Sequence, residues 1–373
     1  MALAITQIDS LAIANATHYN LPLSIVQVDD THFMVAWTGT SYYLHLTIFS
    51  HDSDFDNIAQ VSTSEFYSSA ASAADMSLAK LSDTVYAVAF RNNSNVGVIQ
   101  GIRVNSSSYA ISKGGSVEYQ QGLEIQLLGI DSTHLIITYR GDGGNGYMAT
   151  YSIDDVANNI TEIDTENIGY FSDGASLIKI DSTHFAFAYY LSGGYVETYS
   201  IDGSYDNITL IDSLKHDTTY GTWNSLSLID STHLALAYKG KETGGYGYIK
   251  TFSFDGSYDT ITQTDVLEHD TDVSEYDTTN CRYNSLVTID ATHLILAYRS
   301  SDLDGWIKTF SLDGSYDITQ ESTLEHTLYD SRNVLIKIGN DYYALAYVDE
   351  SSVSYVKTFS TPYTSFVPQV MSF

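Results

Sequence analysis

One phrase constrains this chain more than any other feature. It stands most plainly at Ser176 to Tyr189, Ser-Leu-Ile-Lys-Ile-Asp-Ser-Thr-His-Phe-Ala-Phe-Ala-Tyr, and variants of it begin at Ser24, Ser77, Gln126, Ser225, Ser285 and Val334. Within each copy, apolar residues alternate with small or polar ones on both sides of an Asp-Ser-Thr centre, the period of two strands joined by a tight turn. A second alternating phrase follows, as in Tyr248-Ile-Lys-Thr-Phe-Ser-Phe-Asp-Gly-Ser-Tyr-Asp259, with its own turn at Asp-Gly-Ser. Each unit therefore supplies four strands.

The turn position held by Asp29, Ser82, Asp131, Asp181, Asp230, Asp290 and Gly339 recurs every 49 to 60 residues. Four short antiparallel strands at that period predict an all-β fold, a seven-bladed β-propeller of four-stranded antiparallel blades. The seventh copy lacks its fourth strand, and the missing phrase lies at the other end of the chain. Ile5-Thr-Gln-Ile-Asp9 matches Ile261-Thr-Gln-Thr-Asp265 and Ile208-Thr-Leu-Ile-Asp212. An N-terminal strand completing the last blade would close the ring and remove an open sheet edge. The expected organisation is a single propeller domain over 1–373, with 1–20 as closing strand and link, 21–360 as the blades and 361–373 as a tail.

Composition narrows the partners. A formal charge of -30 excludes a nucleic-acid backbone, whose affinity comes from Lys and Arg. No stretch has the length of a membrane span, so membrane insertion is not expected. The first basic residue is Lys80, so the N-terminus lacks the positive region of a signal peptide. The lone Cys281 rules out an internal disulfide framework and a cysteine-rich metal site.

With the four strands of each unit lettered A to D in chain order, the recurring histidines at 32, 134, 184, 233 and 293 each follow an A–B turn, where equivalent positions in a ring of seven are too far apart to share an ion. They read as turn structure, and neither a metal nor a cofactor is expected. The Asp-Gly-Ser-Tyr-Asp turns at Asp202, Asp255 and Asp313 loosely resemble the Asp-box of sialidase-type propellers, which in that family is structural. The repeat as a whole resembles the tandem-repeat propellers of tailed-phage and marine-microbial surface proteins, in its Ile-Asp-Ser-Thr-His and Tyr-Ile-Lys-Thr-Phe-Ser phrases. That resemblance implies adhesion or virion structure, and a virion or extracellular location.

In a propeller the A–B and C–D turns share one face, and the B–C and D–A connections share the other. Here the second face is irregular in length, and loops on a rigid scaffold are where binding is usually built. Arg91, Arg140, Arg299 and Lys239 fall directly after the second strand of their units, and Arg282 and Arg332 lie in D–A connections. Trp223 and Tyr283 lie there too, with Tyr170, Phe171, Tyr220, Tyr276 and Tyr329 nearby in sequence. Guanidinium groups bind carboxylate or phosphate bidentately, and aromatic rings stack on sugars. The candidate ligand site is therefore Arg91, Arg140, Lys239, Arg299, Arg282, Arg332, Trp223 and Tyr283. No acid and base pair is assignable, so no catalytic residue is expected. The expected function is a non-enzymatic adhesion module whose partner is a cell-surface glycan or another virion or surface protein. The alternatives are a glycoside-processing, sialidase-like enzyme on the same fold, or a purely structural decoration protein.

Overall fold

The structure is a computed structural model, and it describes residues 3–15, 23–39, 43–67, 76–240, 246–271, 281–349 and 351–362. Its strands form seven four-stranded antiparallel sheets, each with its strands in chain order except the last. Blade one is Leu23–Asp29, His32–Thr38, Leu44–Ser50 and Ala59–Tyr67. Blades two to six span 76–119, 123–170, 172–217, 222–270 and 282–327. The seventh takes three strands from 330–360, and its fourth is Thr6–Asn15, paired antiparallel with Val353–Ser360. The ring is closed by the N-terminal strand, as the repeat phrase predicts. No helix among the described residues is long and apolar enough to cross a membrane.

The cores lie between blades, one at each interface, and the second strand shows why. In His233–Lys239 leucine alternates with alanine. Leu234 and Leu236 pack against Ala186 and Ala188 of blade four, while Ala235 and Ala237 receive Leu294 and Leu296 of blade six. Both faces of the strand are buried, so it is apolar throughout, and large side chains of one blade fill the space left by small ones of the previous blade. The first strands add a belt of hydrogen bonds around the axis. Oγ of Ser24, Ser77, Ser176, Ser225 and Ser285 accepts the backbone N–H of Leu78, Leu127, Leu226, Leu286 and Leu335 in the next blade, at 2.9 to 3.0 Å. This is the reason for Ser-Leu at the head of the phrase.

The two turn phrases form a latch between neighbouring blades. Tyr109, Tyr205, Tyr258 and Tyr316, each in a C–D turn, donate their hydroxyls to Asp29, Asp131, Asp181 and Asp230 in the A–B turn of the preceding blade. Each ring also stacks on the histidine three residues after that aspartate, with centroids 3.6 to 4.2 Å apart. The carboxylate further accepts the histidine Nδ1 and the threonine N–H, for example at 3.0 and 2.7 Å around Asp230. Burial raises the pKa of these aspartates, but the hydroxyl, imidazole and backbone donors outweigh it and hold each at about 2. The histidines are thus structural parts of the latch.

The exceptions fit the same scheme. Blade two has Ser82 and Val85 in place of Asp and His, and the position facing them in blade three is Ala157, packed in one core with Val85. Blade seven has Gly339 and Tyr342, and the residue facing them is Phe55, stacked on Tyr342 at 3.7 Å. Where there is no carboxylate to accept, there is no phenol to donate.

Candidate functional site

The first strands of five blades begin with a β-bulge whose residue has a left-handed backbone: Glu124 (φ 52°), Gly174 (81°), Trp223 (56°), Tyr283 (56°) and Arg332 (65°). A non-glycine residue there costs on the order of 1 kcal/mol, and such strain gathers at functional sites. All five line one cavity of about 250 Å³ around the head of the axial channel, with the serine belt below them. The cavity opens on the face of the D–A connections, the irregular face of the sequence reading.

A second rung of bonds holds the bulges. Oε2 of Glu124 accepts the N–H of Gly174 at 2.8 Å. The Asn224 amide donates to the carbonyls of Gly174 and Gly221, and the Asn284 amide donates to the carbonyl of Trp223 at 2.8 Å. Asn224 and Asn284 thereby fix the bulge of the preceding blade and Glu124 that of the following one, so the rim presents its side chains in set positions.

The basic and aromatic candidates converge in part. The Trp223 and Tyr283 rings meet edge to face at 4.6 Å. The Arg282 guanidinium lies 5.6 Å from the Trp223 ring, and Tyr283 is flanked by Arg299 at 5.1 Å and Arg332 at 5.3 Å. Cation–π contact on one rim explains why these residues cluster despite the overall acidity. Arg91 and Arg140 end the second strands of blades two and three and are not among the residues lining the cavity. Lys239 is buried, 5.8 Å from the Tyr220 ring, and Phe171 is core. Tyr276 lies outside the described residues.

Sequence reasoning missed Glu124 and the asparagines. The signal for the latter was present, since Trp223-Asn224-Ser225-Leu226, Tyr283-Asn284-Ser285-Leu286 and Arg332-Asn333-Val334-Leu335 are one phrase. Glu124 sits in a copy that reads Glu-Ile-Gln-Leu, where that phrase is lost. Among the described residues lining the cavity, Glu124 is the one carboxylate and Arg332 the one guanidinium. They come from blades three and seven, across the axis from one another.

Fold and site together define a seven-bladed propeller with a polar cavity at its axis. No protein-family model matches the chain, and neither does any curated protein. Solved structures do match. A Bacteroides fragilis protein named as a candidate 6-phosphogluconolactonase is 13% identical with a TM-score of 0.64, over 88% of this chain and 96% of that one. The periplasmic gluconolactonase of Pseudomonas aeruginosa is 14% identical with a TM-score of 0.62, over 82% and 86%. Sqt1 from Chaetomium thermophilum is 12% identical with a TM-score of 0.54, over 90% and 82%. At these identities the likeness establishes the fold.

These matches correct the expectation of a non-enzymatic adhesion module that recognises a surface glycan. The architecture is shared with propellers named as lactonases, so the fold does not single out a binding module. The expectation placed Arg91, Arg140, Arg282, Arg299 and Arg332 in one ligand site, and of these Arg332 alone is among the residues lining the cavity. Three of them instead crowd two aromatic rings on one side of the axial cavity, with a carboxylate lining it from the other.

Proposed function

We propose that this chain is a lactone hydrolase that binds a sugar lactone in the axial cavity. The observation that carries the reading is Glu124 and Arg332 lining the same polar cavity from opposite blades. Lactone hydrolysis needs one general base and one group to stabilise the oxyanion. Glu124 takes a proton from water as the water oxygen bonds to the lactone carbonyl carbon, and the carbonyl electron pair moves to oxygen beside the Arg332 guanidinium. When the carbonyl re-forms, the ring C–O bond breaks and the departing ring oxygen receives the proton from Glu124. Trp223 offers a face for the sugar ring. A glycosidase would instead require two carboxylates at the bond to be cleaved, which favours the lactone over the glycoside.

The test is acid release from glucono-δ-lactone and its 6-phosphate in weakly buffered solution with a pH indicator, corrected for spontaneous hydrolysis. The wild type should accelerate the reaction, and Glu124→Gln should lose about 10² to 10⁴ of that acceleration, the usual share of a general base. A wild-type rate equal to the background would overturn the proposal.

A further inference from the structure

Blades five, six and seven each carry an inward lysine in the third strand: Lys250, Lys308 and Lys357. Each ammonium donates to a backbone carbonyl at the end of the preceding blade, those of His216, His269 and His326. Each also lies over a tyrosine of its own second strand, 5.5 Å from Tyr238, 5.4 Å from Tyr298 and 5.0 Å from Tyr347. The fold thus builds the same ammonium site three times.

Blade four keeps the frame and reverses the charge. Tyr189 occupies the place of Tyr238, and Ile168 of blade three occupies the place of His216. Glu197 stands where the lysine would be, and Tyr199 stands where the others have Phe252, Phe310 and Phe359. The Glu197 side chain is buried, with hydroxyls donated by Tyr189 at 2.8 Å, Tyr199 at 2.5 Å and Ser213 at 2.8 Å. Among the described residues it makes no ion pair, and the hydrogen bonds it accepts come from neutral hydroxyls. A groove of about 230 Å³ opens beside it between blades three and four, lined by Glu166, Ile168, Glu197, Tyr199, Ile208 and Leu210 with Asn167. Leu210 is half exposed on its outer wall.

We infer that this groove binds a primary alkylammonium, with its N–H groups directed at the Glu197 carboxylate and its alkyl chain along Ile208 and Leu210. The ligand supplies in blade four the cation that the lysines supply in blades five to seven. Glu166, exposed at the groove, adds a second negative charge, and charge-assisted hydrogen bonds to ammonium are the strong ones. The same chemistry is carried by a free diamine and by a lysine side chain.

Calorimetric titration of the full chain with 1,4-diaminobutane, with Nα-acetyl-lysinamide and with tetramethylammonium tests the inference. One or both primary amines should bind, and which of them does so separates the free amine from the peptide source. Tetramethylammonium, with no N–H to donate, should not bind. Glu166→Gln should weaken binding several-fold without affecting folding. The double variant Glu197→Lys with Tyr199→Phe rebuilds the arrangement of the sister blades, so it should fold and lose binding altogether. No binding of either amine to the wild type, equal binding of tetramethylammonium, or unchanged binding by the folded double variant would each overturn the inference.

Discussion

Replacing Tyr109, Tyr205, Tyr258 and Tyr316 by phenylalanine in one chain should lower the melting temperature by about 5 °C at neutral pH. The substitution removes four O–H donors, at 2.8, 2.6, 2.9 and 2.6 Å from their carboxylates, and leaves the stacked rings in place. A hydrogen bond to a charged group contributes about 1.5 to 3 kcal/mol when shielded. These aspartate side chains are 39, 38, 39 and 32% exposed, which reduces each bond to about 1 kcal/mol. The four latches lie in different interfaces, so their contributions add to about 4 kcal/mol. An unfolding entropy of about 2.1 cal/mol/K per residue gives about 0.8 kcal/mol per kelvin over 373 residues, hence the shift.

The pH dependence has a definite sign. These aspartates have pKa values of about 2 when folded, below the ordinary 3.8, so their contribution is complete above about pH 4 and is lost as pH falls through 2. The gap between wild type and variant, measured by calorimetry, should narrow below pH 4 and close near pH 2. Phe55→Tyr is the control, because Gly339 offers no carboxylate and the added hydroxyl should not stabilise. A quadruple variant that melts within 1 °C of wild type at pH 7, or a gap independent of pH, would refute the reasoning.

Two further outcomes follow from the belt and the closure. Ser225→Ala removes the acceptor of the Leu286 N–H in a part-buried belt that lines the axial cavity, and should cost about 1 kcal/mol in urea unfolding. Deleting residues 1–10 removes half of the strand paired with Val353–Ser360 and exposes a sheet edge, so the truncated chain should self-associate in sedimentation velocity. A monomeric truncation with wild-type stability would place another segment in that position.

The architecture was legible because the repeat phrases carry strand period and turn chemistry within each unit. The closing strand was legible for the same reason, since Ile5-Thr-Gln-Ile-Asp9 repeats a phrase whose place in the blade is known from the other copies. The latch was not legible, because Tyr316 and Asp230 are 86 residues apart and belong to different copies. Each was read as part of its own turn, and the pairing of Phe55 with Gly339, or Ala157 with Val85, has meaning only once the blades are set side by side. The axial site was half legible. Trp223, Tyr283 and Arg332 stood out by residue type, whereas Glu124 and the left-handed bulges that set the rim depend on backbone geometry that alternation does not encode.

The most direct test of the account is a crystal structure of the chain soaked with an aldonate, the product of lactone hydrolysis. The account expects the aldonate in the axial cavity, with its carboxylate within hydrogen-bond reach of Arg332 and its sugar chain beside Trp223 and Glu124. An aldonate bound elsewhere on the propeller, with the axial cavity holding only water while hydrolysis proceeds, would contradict it.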